Sequence, residues 1–157
     1  MITPGIDPKH DTFGFVNILV RNLASKVDKL NIITLRPADD VPDNVSVIAV
    51  SGRNKLSRFI KLNKAIYSVL RKEKVDLIFG HMYMEFSLTA FPYAKIFRKP
   101  LVTWYEHSSI PFRLRLVHMM ADKILSASKQ GFRIESNKHV VLGQCVDTSF
   151  FTPSKEK

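Results

Sequence analysis

Short apolar runs rich in β-branched residues alternate with helix-length amphipathic segments along this chain, and few architectures accept that pattern. The runs are Leu30 to Leu35, Val45 to Val50, Leu77 to Phe79, Leu101 to Trp104, Lys123 to Leu125 with Ala127, and His139 to Leu142. Between them, Phe15 to Lys26 spaces Phe15, Val16, Leu19, Val20, Leu23 and Ala24 along one helical face. Leu56 to Leu70 repeats the device with Leu56, Phe59, Ile60, Ile66, Tyr67 and Leu70, which predicts that this stripe faces the core. Two further helices are predicted over Glu85 to Phe97 and Phe112 to Met120, the first strained or interrupted at Pro92. Ser128 is placed to cap a short helix running toward Glu135.

Near-continuous apolar strands separated by helices demand a parallel sheet covered on both faces. Right-handed crossovers then wind it outward in two directions, giving a doubly wound, mostly parallel, Rossmann-like α/β layer. A single domain over residues 1–157 is expected at this length. The first strand is short: only Met1, Ile2 and Thr3 precede the Pro4-Gly5 turn, so it is a stub or the chain begins late.

Composition narrows the chemistry. Hydrophobic residues make up 45%, enough to offset ordering entropy, and the only cysteine, Cys145, excludes an internal disulfide and a multi-cysteine metal site. No basic, apolar leader is visible at the N-terminus, and Val75 to Tyr93, the most apolar long window, carries Asp76, His81, Glu85 and Pro92, too polar for a bilayer span. A net charge of +10 favours anionic partners: phosphorylated ligands, an acidic membrane surface or nucleic acid. Eight of the cations lie in Arg53 to Lys74, against the single acid Glu73. Arg58, Lys61 and Lys64 give this helix a basic surface, suited to anionic headgroups or simply to water. No recognition helix, RNP or zinc-finger pattern accompanies it, so nucleic acid is not an expected partner.

Ligands of a doubly wound sheet sit beyond the carboxyl ends of its strands. The loop Pro4 to Gly14, which contains Asp11, is long and runs straight into a helix; Gly14 there suits either close approach of a phosphate or sugar oxygen or a plain surface turn. Neither a dinucleotide fingerprint nor a P-loop occurs. His107 follows a predicted strand within Glu106-His107-Ser108, where an imidazole either points into the crevice or is a loop histidine bonded to backbone, and Glu106 beside it either sets its tautomer or is simply solvated. His81 holds the equivalent place one unit earlier, and Ser128 opens the next strand-end loop. The two histidines lack a third ligand at metal-binding spacing, so no metal is expected. His118 and Cys145 read as structural.

The most specific stretch is His139 to Pro153, where Val146, Asp147, Thr148, Phe151 and Pro153 resemble the Gly-Val-Asp-Thr-x-x-Phe-x-Pro run that closes the N-terminal domain of family 4 glycosyltransferases of the GT-B type, with Cys145 at the usual glycine. Ala121 to Ser128 is similar to the Ala-Asp-x-apolar-apolar-x-x-Ser element of the same family. The resemblance implies a retaining transfer of sugar from a nucleotide-sugar donor to an acceptor hydroxyl, without cofactor or metal, across a cleft between two Rossmann-like domains. This chain would be the acceptor-side domain, with residues 148–157 beginning the linker to a donor domain that carries paired glutamates. Alone it would have little or no activity. His107 matches the histidine that faces the transferred sugar; Gly14 and its loop would approach the donor, and Ser128 would lie near the cleft. The acceptor is open, and the expected location is cytoplasmic, peripheral at the inner membrane face. A different class remains: a non-catalytic subunit that recruits a separate donor domain or a membrane surface.

Overall fold

The computed structural model describes residues 1–10 and 13–143. Asp11 and the signature from Gln144 onward, including the expected linker at 148–157, lie outside the described residues. The elements follow in the order β1 (Ile2–Thr3), α1 (Phe15–Ala24), β2 (Leu30–Thr34), β3 (Val45–Ala49), α2 (Lys55–Lys72), β4 (Ile78–Gly80), α3 (Met84–Ile96), β5 (Leu101–Trp104), α4 (Phe112–Met120), β6 (Lys123–Ser126) and β7 (His139–Val141). All seven strands join one parallel sheet in the order β3-β2-β1-β4-β5-β6-β7. The doubly wound Rossmann-like layer predicted from the alternation is the fold observed. The first strand is a two-residue stub, yet it pairs on both sides, Ile2 standing between Ile33 and Gly80.

Adjacent residues of one strand feed opposite faces, as the pleat requires. Ile32 packs with Val16, Val20 and Ala24 of α1, whereas Ile33 belongs to the cluster formed by Leu62, Ile66 and Leu70 of α2 with Phe86, Ala90 and Ala94 of α3. A third cluster joins Leu114 and Val117 of α4 to Tyr105, Ile124 and Phe132. Polar links fix the register. Asp122 accepts the Leu101 amide at 2.7 Å while its own amide donates to the Leu101 carbonyl, which explains an acid directly before β6. Gly80 must be glycine, because a methyl there would overlap the Ser87 side chain, which is itself hydrogen-bonded to Thr103 at 2.8 Å.

Three expectations are corrected. Helix α3 runs through Pro92 without a break. Burial of Phe86, Ala90 and Ala94 on one face outweighs a cost of about 3 kcal/mol for an internal proline. No helix follows Ser128: the chain makes one turn closed by Gly131 and then drops Phe132 into the core. Helix α2, capped by Asn54 accepting the Ser57 amide at 2.8 Å, buries Leu62, Ala65, Ile66 and Leu70 instead of the whole predicted stripe. At 3.6 residues per turn, Leu56, Ile60 and Tyr67 lie roughly 100° or more around the helix from that face, and they stay exposed. Among the described residues no helix is long and apolar enough to cross a membrane.

Ile32 is fully buried between the sheet and α1. Replacing it by alanine is expected to cost about 2–5 kcal/mol, read as a lower urea midpoint at unchanged m-value. A loss below about 1 kcal/mol would contradict the two-faced packing described for β2.

Candidate functional site at the carboxyl edge of the sheet

The chain winds one way from β1 into β2 and β3 and the other way into β4 and beyond. The crevice of such a sheet opens where the direction reverses, beyond Thr3 and Gly80. Here the His81 amide donates to the Ile2 carbonyl at 2.9 Å, and His81 Nδ1 bonds to Thr3 Oγ1 at 3.0 Å. The His81 ring is 2% exposed, tilted against Phe79 and Trp104. Burial lowers its pKa to about 4, so the imidazole is neutral at ordinary pH. Directly after it, Met82 has φ 71°, with the Tyr83 amide donating across it to the His81 carbonyl at 2.9 Å. A long side chain held in that left-handed region stores strain, and such strain concentrates at ligand-binding edges.

The long loop after β1 is folded inward. Ile6 is completely buried, its amide donates to the Arg36 carbonyl at 2.9 Å, and its carbonyl accepts from the Asn17 side chain at 3.2 Å. Gly14 gives its amide to the His10 carbonyl at 2.8 Å and takes the α conformation at the start of α1. A methyl there would press on the Pro8 carbonyl, so the glycine allows the loop to close on itself. Phe13 stacks on His10 at 5.1 Å and meets Tyr83 edge-on at 6.3 Å, which links the loops after β1 and β4 across the switch point.

The loops after β5 and β6 are tied by one carboxylate. Glu106 accepts the Ala127 amide at 2.5 Å and the Ser128 hydroxyl at 2.9 Å, with the Ser128 amide farther off at 3.4 Å. Ser128 Oγ accepts the Gly131 amide at 3.1 Å, and a methyl at Gly131 would overlap the Glu106 carboxylate. The His107 amide completes the tie by donating to the Gly131 carbonyl at 2.9 Å. His107 itself is exposed. Its Nδ1 accepts the Ser109 amide at 3.0 Å, which leaves no place for a proton on that nitrogen and puts it on Nε2. Among the described residues Nε2 has no partner. Tyr105, buried beneath, donates to the Ser109 carbonyl at 2.8 Å and fixes the turn.

Of the residues singled out by sequence, His107, Glu106 and Ser128 meet in one cluster with Ser108 next in the chain, and His81 and Gly14 flank the switch point on the same carboxyl edge of the sheet. Their parts differ. His107 and Ser108 are exposed, whereas His81 through Nδ1, Glu106 and Ser128 are bonded to the protein itself. Sequence reasoning missed Tyr83 and Phe13, since an aromatic contact between two loops has no motif, and Ile6, whose lone apolar character amid Gly5 and Asp7 was the available signal. Among the described residues no three His, Cys, Asp or Glu side chains gather as a metal site.

A scan against protein-family models finds no match, and neither does a search of the curated proteins. Solved structures do match. Over 90% of this chain the fold superposes on UDP-GlcNAc 2-epimerase from Methanocaldococcus jannaschii with a TM-score of 0.64 and 16% identity, and over 89% on MurG from Acinetobacter baumannii with a TM-score of 0.55 and 16% identity. The chain covers 44% of each, less than half their length. What the likeness shows is the shared fold, a Rossmann-like α/β layer.

Two outcomes test this geometry. For His81 the unfolded chain takes up a proton below about pH 6.5, while the folded chain refuses it until about pH 4. Its contribution to stability is therefore complete above pH 6.5 and falls by about 3 kcal/mol as pH drops to 4. The His81 ring resonance should titrate with a midpoint near 4 in the folded protein, and a midpoint above 6 would show the ring to be solvated. Separately, Glu106→Ala should speed hydrogen exchange at the Ala127 and Ser128 amides while leaving Ile32 protected. Unchanged exchange at both loop amides would remove Glu106 as the tie between the loops.

Proposed function

We propose that this chain is the acceptor-side domain of a retaining glycosyltransferase of the GT-B type, moving a sugar from a nucleotide-sugar donor to an acceptor hydroxyl in the cytoplasm. The observation that carries the reading is His107. It stands exposed past a strand end with its tautomer set by the Ser109 amide, so that Nε2–H is an exposed donor on the carboxyl edge of the sheet. A sugar hydroxyl is a fitting acceptor for it, and a donor held in place before the reaction costs no reorganisation as charge develops. The signature resemblance, and the likeness in fold to a UDP-GlcNAc 2-epimerase and to MurG, support a sugar nucleotide as the partner.

The other residues take roles that fit their contacts. Tyr83, exposed beyond β4 and braced by Phe13, offers a flat apolar face against which the C–H face of a sugar ring packs. Glu106 and Ser128 are positioning residues, locking the loops that present His107 and Ser108. His81 supports the switch point from beneath, and Gly14 with the Asp11 loop shapes the approach to the donor. The nucleotide would be held chiefly by a second domain bearing the paired glutamates, and the isolated chain would turn over little.

The test is a nuclear magnetic resonance titration of the chain with UDP-, GDP- and ADP-linked sugars. Binding of one of them is expected to shift amides at Tyr83, His107 to Ser109 and Ser128 to Gly131, and His107→Ala to weaken it roughly tenfold, as for loss of one hydrogen bond to a charged or polar ligand. Shifts confined to other surfaces would overturn the reading. Transfer by the isolated chain at the rate of a two-domain enzyme would overturn its assignment as the acceptor-side half.

A further inference from the structure

We propose that the outer face of α2, continued onto the end of α3, is a docking surface for an anionic lipid bilayer. Leu56, Phe59, Ile60 and Tyr67 expose 66, 52, 46 and 45% of their surface along one side of α2, and Ile96 at the end of α3 exposes 72%. A single exposed leucine is ordinary, whereas a contiguous apolar ridge marks an interaction surface. The ridge borders an open groove of about 330 Å³ between the helices, lined by Phe59, Ile60, Asn63, Lys64, Tyr67 and Tyr93. It is held in shape: the Tyr93 hydroxyl donates to Asn63 at 2.8 Å, and the Tyr67 and Phe97 rings meet edge-on at 6.0 Å.

Charge chooses the occupant. By helical rotation Lys61, Lys64, Arg71 and Lys72 fill the sector beside the ridge, and Lys95 on α3 lies over the Phe91 ring at 5.5 Å. The only acid of the Arg53 to Lys74 segment, Glu73, is already paired with Lys29 at 2.6 Å. A protein groove for an apolar helix has no need of a sector of one sign, and a nucleic acid has no use for exposed leucine and isoleucine. A bilayer surface uses both, with cations at the level of the phosphates and the ridge at the acyl boundary, where tyrosine is favoured. Helix α2 would lie in the plane of the interface, its charges excluding a spanning orientation. None of the residues given a role in glycosyl transfer takes part, so the inference stands apart from that reading.

The test is sedimentation of the chain with vesicles of equimolar phosphatidylglycerol and phosphatidylcholine, and with phosphatidylcholine alone. Binding is expected to the anionic vesicles only and to weaken as salt rises. Leu56→Ser with Ile60→Ser, and separately Lys61→Glu with Lys64→Glu, should each weaken it by about tenfold or more, at unchanged thermal midpoint since all four side chains are exposed. Failure to bind anionic vesicles, or equal binding to neutral ones, would overturn the proposal. Binding indifferent to Leu56→Ser and Ile60→Ser would reduce it to adsorption by charge alone and overturn it equally. A dimer at gel-filtration concentrations that the serine variant converts to monomer would assign the ridge to a second copy of the chain instead. Should either double variant fail to fold, the other double variant and the wild-type comparison of the two vesicle types still decide.

Discussion

A hydrogen bond between Thr3 Oγ1 and His81 Nδ1 joins the ends of β1 and β4 at the point from which the sheet winds in both directions. Strand β1 contributes only two residues, and two residues cannot hold a central strand by backbone pairing alone. The side-chain bond and the His81 amide to the Ile2 carbonyl extend that pairing past the strand ends. On the other side Ile6 continues it, reaching back to the Arg36 carbonyl. A neutral imidazole suits this place: it satisfies a hydroxyl in an apolar pocket without the desolvation cost of a charge.

At the carboxyl edge beside this junction, the loops after β5 and β6 are tied to each other. Loops are ordinarily the loosest part of a doubly wound domain, because their backbone groups look to water for partners. Here Glu106 collects two amides and a hydroxyl from the next loop, and Gly131 has no side chain so that the carboxylate can reach them. The His107 ring is then oriented by the backbone of Ser109 and from beneath by Tyr105. A group positioned in this way loses little conformational freedom on meeting a ligand, which is the physical sense in which a site is preorganised.

Helix α2 shows how packing selects among apolar residues. The helix carries more of them than one face can bury. Contact with α3 and the sheet takes Leu62, Ala65, Ile66 and Leu70, whose spacing makes the straighter seam, and the remainder is left in the open beside a sector of lysine and arginine. The same sequence count of apolar residues therefore yields a core and an exposed ridge.

The alternation of β-branched runs with amphipathic segments determined the fold class, because a parallel sheet buried on both faces is the arrangement that satisfies apolar strands and one-sided helices together. Strand ends were legible within a residue or two, and with them the loops that carry His81, His107 and Ser128. What a side chain does at a strand end was not legible. His81 and His107 occupy equivalent places in sequence, yet one is sealed between Phe79 and Trp104 and the other stands in solvent, since burial depends on which neighbours the crossovers bring alongside. The continuity of α3 through Pro92, the turn in place of a helix after Ser128, the exposed ridge of α2 and the Phe13–Tyr83 contact are likewise tertiary decisions. Local propensity acts over a few residues and about 1 kcal/mol apiece, and packing across the sheet, which joins residues far apart in the chain, outweighs it.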